Sequence, residues 1–430
     1  MDAKPAGEPG TAPRARMGAW RFVVWFGTVS LLADFVYEGA RSVTGPLLSS
    51  LGASALVVGV VTGAGEAAAL GLRLVSGPLA DRTRRFWALT IAGYLLTVVA
   101  VPPLGAVGTL WAACALVVAE RVGKAVRSPA KDTLLSHATA ATGRGRGFAV
   151  HEAMDQVGAL VGPLTVAGVL ALTGGSYGPA LGVLAVPGVA VVVLLLWLRN
   201  RVPDPRRYEE AAGPAPKTAE GPKAPGAPET AGGGPARRPA PAKAGGRVGR
   251  LPVAFWTYAA FTAATTAGFA TFGVLSYHLV QRHLLAPAWV PVLYAAAMAV
   301  DAVAALVTGW FYDRYGPAVL VVLPLLAALV PALAFTDAVT VAVAGSLVWG
   351  AALGVQESTL RATVADLVPP GRRATAYGVF AGVAGGASLV GGALTGALYG
   401  VSVPLLITVV AAIQALALAL LAFTRTWRRR

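Results

Sequence analysis

The chain has 430 residues, 56% of them apolar and only 13% charged, with a mean hydropathy of +0.66. Soluble chains carry about a quarter charged residues, so this composition excludes an ordinary soluble protein and indicates one that crosses a membrane many times. The net charge of +15 arises mainly in turns, a middle loop and the C-terminal tail, which is typical of membrane topology rather than nucleic-acid binding. The lone cysteine, Cys114, excludes an intramolecular disulfide and a cysteine-clustered metal site.

The apolar segments predict an all-α membrane protein with twelve spans in two six-helix bundles. The predicted regions are a disordered tail (1–18), an N-terminal bundle (19–201), a flexible linker rich in Pro, Ala and Gly (202–250), a C-terminal bundle (251–424) and a basic tail (425–430). The spans are predicted near 19–46, 55–79, 86–106, 108–127, 146–172, 179–199, 252–281, 286–310, 317–335, 338–361, 374–399 and 402–424.

The basic residues of the turns lie almost entirely on one side of this arrangement. One set of turns carries Arg82, Arg84, Arg85, Lys131, Arg144, Arg146, Arg314, Arg372 and Arg373. The other set contains no Lys or Arg except Arg282. The positive-inside rule therefore predicts both termini in the cytoplasm and a multi-pass protein of the cell membrane. We expect a monomer that contacts lipid, a small-molecule substrate and protons, and no nucleic acid.

The two halves resemble each other. The sequence GPLADR at 77–82 is echoed by GWFYDR at 309–314, and the segment at 143–164 by that at 371–394. Duplication of a six-helix unit is the simplest explanation. Repeat-built bundles of this kind place their substrate site between the repeats, near the bilayer midplane.

Charged side chains within the predicted spans indicate a functional cavity, because a charge at mid-bilayer costs about 2.5–3.5 kcal/mol. In span 1, Asp34, Glu38 and Arg41 share one helical face. We predict a proton-coupling or substrate cavity that is formed by Asp34, Glu38, Arg41, Glu66, Glu120, Arg121, Lys124, Glu152 and Asp155.

Six of these residues are acidic and three are basic, so the acids cannot all have basic partners. An unpaired carboxylate in a low-dielectric cavity favours its protonated form, and our hypothesis is that at least one of Asp34, Glu38, Glu66 and Glu120 takes up a proton. The alternative is a fixed network of buried ion pairs. Arg73 and Arg127 lie near enough to the predicted cytoplasmic side to snorkel, and we expect them to be structural.

The C-terminal half has fewer intramembrane charges and more aromatic residues. Span 7 carries a series of aromatic and hydroxyl side chains, from which we predict an aromatic wall of the substrate cavity at Trp256, Tyr258, Phe261 and Tyr277. Ordinary helix packing is the alternative for each of them. In span 10, Glu357 precedes Arg361 by four residues, which predicts a mutual ion pair.

The turn after span 2 carries the most specific motif. Its residues are Gly77, Leu79, Ala80, Asp81, Arg82 and Arg85, and Asp313, Arg314 and Gly316 repeat part of it after span 8. The motif resembles the signature of the major facilitator superfamily, and the resemblance covers nearly the whole chain. It implies a conformational latch formed by Gly77, Asp81, Arg82, Arg85, Asp313 and Arg314. The glycine usual before the last basic residue is replaced by Arg84.

Two further motifs resemble patterns in this superfamily. In span 5, Gly158, Gly162 and Pro163 resemble a motif of its antiporters, which favours export, although the usual glycine pair after the proline is absent. Close helix packing is the alternative role for these small residues. In span 4, the segment from Glu120 to Arg127 partly resembles a basic motif that is often linked to proton coupling.

These patterns together predict a secondary active transporter that works by alternating access. No nucleotide-binding loop of the GxxxxGK[ST] type is present, so we expect a proton gradient as the driving force, with no cofactor, no metal and no enzymatic activity. We favour proton-coupled export, by antiport, of a small amphipathic or drug-like molecule. The alternatives are proton-coupled import of a small organic or inorganic solute, and a non-transporting membrane scaffold or sensor.

Overall fold

The computed structural model describes residues 17–212, 251–369 and 372–428. All regular secondary structure within these ranges is helical. Most of the predicted N-terminal tail, the linker from residue 213 onward and the last two residues of the basic tail lie outside the described residues, and the predictions made for them stay predictions.

Within residues 17–212, nine helices form the N-terminal half. They are α1 (Ala19–Ser50), α2 (Ala55–Gly71), α3 (Arg73–Thr83), α4 (Phe86–Leu104), α5 (Leu110–Thr142), α6 (Arg144–Leu172), α7 (Tyr177–Gly182), α8 (Ala185–Arg201) and α9 (Arg206–Ala212). The pairs α2–α3 and α7–α8 are each one membrane-length segment that is interrupted by a short break.

In the described part of the chain from residue 251 onward, seven α-helices and one 3₁₀ helix form the C-terminal half. They are α10 (Val253–Ala267), α11 (Phe272–Gln281), α12 (Trp289–Tyr315), η1 (Gly316–Val321), α13 (Val322–Ala334), α14 (Val339–Leu367), α15 (Arg373–Val401) and α16 (Val403–Arg428). The pair α10–α11 is again one interrupted segment.

Ten segments among the described residues are long and apolar enough to cross a membrane. One of them, Trp289–Ala334, has 46 residues and contains both α12 and α13, which are separated at Gly316 (φ +61°). A further helix, α5, is 33 residues long but carries six charged side chains, so its composition hides its span. Counting these gives twelve membrane-length segments, and the predicted all-helical membrane fold with two six-helix bundles is confirmed.

The two ends of the bundle differ in charge. We call the end where α3 gives way to α4 the basic end, because the turns there carry arginines such as Arg82, Arg85 and Arg372. The opposite end, where α1 gives way to α2, is called the far end. Its described turns carry one arginine, Arg282, whose guanidinium donates to both Asp337 carboxylate oxygens at 2.9 Å. This interaction holds the pKa of the Asp337 carboxyl below its usual range.

The two halves meet through equivalent helices. Helix α2 packs on α15, and α6 packs on α12, so each pairing joins one of the first six membrane-length segments to a segment of the other half. The contact between α2 and α15 is close because Gly59 and Gly392 face each other, and a Cβ on either would meet the backbone of the other helix. Each half also has its own apolar core clusters.

The segment predicted as linker begins with a helix, α9, that packs against the N-terminal half. The Tyr208 hydroxyl donates to the Met17 carbonyl at 2.8 Å, and burial raises the pKa of Tyr208 to about 12. His137 Nδ1 lies 2.7 Å from Glu209 Oε2. The buried Tyr208 ring and these two polar contacts hold the short helix on the bundle, although its composition resembles that of a linker.

The turn between α3 and α4 contains a strained residue. Arg84 has φ +53° and ψ +19°, in the left-handed region, at the position where the superfamily motif usually has glycine. A side chain in this conformation costs about 1–2 kcal/mol because Cβ crowds the following carbonyl oxygen. The motif turn therefore keeps its tight geometry, and Arg84 is strained there.

We expect Arg84→Gly to raise the free energy of unfolding by about 0.5–1 kcal/mol, because relief of strain exceeds the entropy that glycine adds to the unfolded chain. The measurement is the denaturation midpoint in detergent. Arg85→Gly is the matched control, since Arg85 has φ −90° and should lose stability. An unchanged or lower midpoint for Arg84→Gly would contradict the strain.

Candidate functional site

A cavity of about 520 Å³ lies between the two halves, at the interface where the sequence repeat predicts a substrate site. Helices α1, α2, α3 and α5 line it on one side, and α10, α11, α14 and α15 on the other. It extends from Thr62 and Gly273 towards Gly77 and Arg361, in the direction of the basic end. Its size is that of a pocket for a small organic molecule.

Contacts between the halves close the cavity towards the far end. Thr62 Oγ1 and Thr271 Oγ1 are 3.0 Å apart, and Gly45 packs so closely on Gly273 that a Cβ there would collide with its carbonyl. Closer to the far end, the Gln281 side-chain amide donates to the Ser49 hydroxyl. The structure is therefore closed at the far end.

The break between α10 and α11 positions part of the cavity wall. Helix α10 ends at Ala267, and a Cβ on the following Gly268 would press on Gln414, so glycine allows a close approach at this point. The freed Ala270 carbonyl accepts a hydrogen bond from Trp349 Nε1 at 2.8 Å. Interrupted helices are tolerated at membrane depth only where such partners satisfy the backbone. The break turns Phe269 and Phe272 towards the cavity.

A chain of charged side chains joins α1, α2 and α5 at the cavity wall. Arg41 Nη2 donates to Glu66 Oε1 at 3.0 Å, and Arg121 Nη1 lies 3.2 Å from the same oxygen. Arg41 Nη1 lies 3.7 Å from Glu38 Oε1, and Arg121 Nε lies 3.3 Å from Glu120 Oε2. Three carboxylates thus share two guanidinium groups. Glu120 Oε1 is buried and has no hydrogen-bond partner among the described residues.

Two tyrosines extend this charged chain. Arg121 Nη1 donates to the Tyr37 hydroxyl, and Lys124 Nζ lies 4.0 Å above the centre of the Tyr37 ring. On the other side, the Tyr294 hydroxyl of α12 donates to Glu38 Oε2 of α1. The bond between Tyr294 and Glu38 is a direct polar link from one half to the other, and it is buried.

A second charged cluster lies in the N-terminal half, outside the cavity. Asp155 Oδ2 is 3.7 Å from Lys131 Nζ and 3.4 Å from His151 Nδ1, and His151 Nε2 is 2.7 Å from Ser30 Oγ. The topology pattern places Lys131 in a turn, but α5 continues past it to Thr142, so its ammonium lies within the bundle. Lys131 was therefore not among the three basic residues that we counted in the spans from the sequence.

The structure brings together some of the predicted cavity residues and separates others. Four line the cavity, namely Arg41, Glu66, Arg121 and Lys124. Two more, Glu38 and Glu120, belong to the same charged chain but do not line the cavity. The other three lie elsewhere: Asp155 in the second cluster, Asp34 half-buried on α1, and Glu152 exposed on α6.

The predicted aromatic wall does not line this cavity. Trp256 is half exposed on the outside of α10, Tyr258 and Phe261 are buried in the core of the C-terminal half, and Tyr277 packs edge-on against Tyr399. A helix presents aromatic residues on several faces, and composition alone does not say which face meets the cavity. The apolar wall is instead formed by Phe269, Phe272, Trp349 and Phe380.

Sequence reasoning also missed two basic cavity residues. Arg73, expected to snorkel, lines the cavity, and its Nε is buried without a hydrogen-bond partner among the described residues. Arg361 lines the cavity as well, and within the described chain it forms no ion pair with Glu357. The available signal was that each is a basic residue within a predicted span. From the sequence, Arg73 is interpreted as a snorkelling residue and Arg361 as the ion-pair partner of Glu357.

The latch residues lie at the basic end, except Gly77, which lines the cavity. Asp81, Arg82, Arg85 and Asp313 are exposed, and their side chains make no ion pair within the ranges that the structure describes. Arg314 lies over the rings of Trp310 and Tyr315 on its own helix, at 6.0 and 5.8 Å.

The small residues of the antiporter-like motif pack α6 on α1. A Cβ on Gly158 would meet the Leu31 carbonyl, and one on Gly162 would meet the Phe35 carbonyl. Pro163 follows within α6 and is buried. The contact is between two helices of the same half, so its local role is close packing, and it leaves the direction of transport open.

Two six-helix halves around an interfacial cavity define the chain as a membrane transport protein. The sequence pattern of the Major Facilitator Superfamily matches residues 27–391 and 288–430, and the chain belongs to that family. An uncharacterized protein of Mycobacterium tuberculosis is 62% identical over 410 residues, which cover 95% of this chain and 94% of that protein. The family match points to a transporter rather than an enzyme.

Solved structures support the same fold. A variant of the nucleoside transporter NupG superposes with a TM-score of 0.68 at 14% identity, covering 93% of this chain and 99% of that one. A bacterial homologue of the human lysosomal transporter Spinster, in an inward-facing and occupied conformation, superposes with a TM-score of 0.64 at 16% identity, covering 97% and 98%. At these identities the similarity is one of fold.

We expect Glu66→Gln to lower the free energy of unfolding by about 2–3 kcal/mol, because Arg41 and Arg121 would lose the carboxylate that they share. The measurement is chemical denaturation in detergent micelles. Glu152→Gln, at an exposed position, is the control and should change stability by less than about 0.5 kcal/mol. Equal stability of the two variants would show that the shared carboxylate is dispensable.

We expect Gly392→Val to open the far end, because overpacking against the Gly59 backbone costs about 1–3 kcal/mol in the closed state, equivalent to a roughly tenfold change in population. The measurement is maleimide labelling of Ser49→Cys in a Cys114→Ser background, which should accelerate about tenfold. Gly400→Val is the control, since a Cβ there meets nothing within 4 Å. Unchanged labelling, with a monodisperse elution profile, would contradict this role of the contact.

Proposed function

We propose that this protein is a proton-coupled secondary active transporter that moves a small organic solute by alternating access. The observation that carries the proposal is the interfacial cavity, which is closed at the far end and has a buried chain of carboxylates and guanidinium groups on its wall. A cavity between two repeat-related bundles is the site around which such bundles rock. A non-transporting scaffold or sensor does not require such a cavity.

The contacts that close the far end suit a reversible seal. They consist of glycine backbones and single hydroxyl pairs, such as Gly59 with Gly392 and Thr62 with Thr271, rather than large interlocked side chains. Contacts between such small groups can re-form, so the state that is closed at the far end and the state that is closed at the basic end can be close in free energy. In the opposite state, Asp81 and Arg82 would form the latch contacts at the basic end.

Proton coupling is supported by the excess of one carboxylate in the charged chain. Glu38, Glu66 and Glu120 share Arg41 and Arg121, and one buried oxygen of Glu120 has no donor in the described part of the chain. A buried, unpartnered carboxylate oxygen is costly, and uptake of a proton removes that cost.

The bond between Tyr294 and Glu38 links this chain to movement. It joins the two halves, so rocking must break or reshape it and change the surroundings of Glu38. A site whose surroundings differ between two conformations binds protons differently in each, and the proton gradient can then drive the cycle. In this scheme Glu38 and Glu120 hold the proton, and Arg41 and Arg121 adjust their pairing.

We propose export by proton antiport as the first candidate direction, on the basis of Gly158, Gly162 and Pro163, which resemble the antiporter motif. Import by proton symport is the second candidate. It is favoured by the basic residues around the cavity, because neutralising a nearby carboxylate would strengthen their attraction for a negatively charged solute. The amphipathic character of the solute fits the combination of charged and aromatic walls.

We further propose that the protein works as a monomer in the cell membrane, with the basic end and both termini in the cytoplasm. The charge asymmetry between the two ends supports this orientation through the positive-inside rule. The cavity that extends towards the basic end would then take solute from the cytoplasmic side in the conformation described here.

The test is transport by purified protein in proteoliposomes under an imposed pH gradient, screened against a mixed library of organic solutes. We expect flux that follows the gradient and depends on its sign. Glu120→Gln should lower gradient-driven flux about tenfold or more but keep solute exchange at equal pH, since exchange requires no net proton movement. Glu210→Gln, at an exposed position on α9 outside the charged chain and the latch, should keep the coupling.

Three outcomes would contradict parts of this proposal. Solute that moves with the protons rather than against them excludes antiport and supports the import alternative. Full gradient-driven flux in each of Asp34→Asn, Glu38→Gln, Glu66→Gln and Glu120→Gln excludes coupling through these carboxylates. Absence of flux and of exchange for the whole library contradicts transport of small organic solutes.

A further inference from the structure

The charges around the cavity are predominantly positive. Five basic side chains among the described residues line it, namely Arg41, Arg73, Arg121, Lys124 and Arg361. The acidic residues in the same lining are Glu66 and Glu357. A binding site with three positive charges in excess attracts anions and repels cations, and low-dielectric walls strengthen both effects.

The acidic residues nearest to the wall do not remove this excess. Glu66, Glu38 and Glu120 lie within 4 Å of Arg41 or Arg121, and counting Glu38 and Glu120, which lie behind the lining, reduces the excess from three positive charges to one. Arg41 and Arg121 are thereby held in place as part of the charged chain.

Three cations of the lining have no anionic partner among the described residues: the exposed Arg361, and the less exposed Lys124 and Arg73. Lys124 Nζ lies over the Tyr37 ring, and no carboxylate oxygen of the described residues lies within 4.0 Å of it. Arg73 donates from Nη2 to the Ser128 hydroxyl at 3.5 Å, and its Nε is buried without an acceptor. These are hydrogen-bond donors that a bound acid group would satisfy. They come from α5 and α3, on the N-terminal side of the cavity.

Part of the opposite wall is apolar and aromatic, although the same wall also carries Glu357 and Arg361. The Phe269 and Trp349 rings are stacked, with centroids 6.1 Å apart and an interplanar angle of 3°. Phe272 packs against Trp349 at 5.3 Å, and Phe380 stacks on Tyr258 behind it. A flat aromatic surface across from a cationic wall suits a molecule with an acid group at one end and an apolar or aromatic body at the other.

We infer that the solute of this transporter is an organic anion, whose acid group binds at Lys124 and Arg73 and whose apolar body packs against Phe269, Phe272 and Trp349. The inference rests on the proposed function and names its substrate class, for either direction of transport. A neutral solute would leave both cations unpaired, and a cationic one would add a like charge to a basic site.

The test is equilibrium binding to the full chain in detergent, by titration calorimetry, which requires no transport. The probes are three series with naphthyl, indolyl and octyl bodies, each with a carboxylate, a hydroxymethyl or an aminomethyl head group. In at least one series we expect the carboxylate to bind at least tenfold more tightly than the alcohol, with the amine weakest. Equal binding of the three head groups, preference for the amine, or no binding in any series overturns the inference.

Variants assign the head-group site. Lys124→Gln should weaken carboxylate binding about tenfold and leave binding of the matching alcohol within twofold. Arg282→Gln removes a basic residue at the far end and should change neither. Equal losses for carboxylate and alcohol in Lys124→Gln would show that Lys124 acts on the fold and not on the charge. Selective carboxylate binding without flux in proteoliposomes would contradict the proposed transport and leave the anion site standing.

Discussion

A charge inside a lipid bilayer has to be paired or hydrated, and this constraint organises the protein. The N-terminal half carries its charges on α1, α2 and α5 so that Arg41 and Arg121 meet on one oxygen of Glu66. These pairs lie at the boundary with the C-terminal half. A movement of one half against the other therefore changes the surroundings of the paired charges. The bond from Tyr294 to Glu38 is the clearest case.

The fold was predictable from sequence because it depends on properties that add up along the chain. Segment length and apolar content indicated the spans, alternation of basic turns indicated their direction, and the two echoed motifs indicated the repeat. Helix α5 was predicted as a span at 108–127, but the sequence did not show how its charges are tolerated: their partners are Tyr37 on α1 and Glu66 on α2. Those partners lie in other helices.

The candidate site was only partly predictable, for a related reason. Spacing on one helix brings Glu38 and Arg41 to a common face, but the sharing of Glu66 by two arginines depends on how three helices pack. The aromatic wall was assigned to the wrong residues of span 7, on both sides of the break after Ala267, since this break resets the helical phase and turns Phe269 and Phe272 inward. The available signal was Gly268 with Thr271 three residues later, which indicates a helix break. A prediction based on aromatic content did not take this signal into account.

The contact between Tyr208 and Met17 has an architectural consequence. It brings the last described helix of the N-terminal half to a residue two positions before the first helix, so the first and last helices of this half have neighbouring ends. A unit with neighbouring ends can be fused head to tail with a copy of itself without any change in the order of its helices, since only a joining segment must be added. This geometry suits an ancestor that doubled by tandem gene fusion.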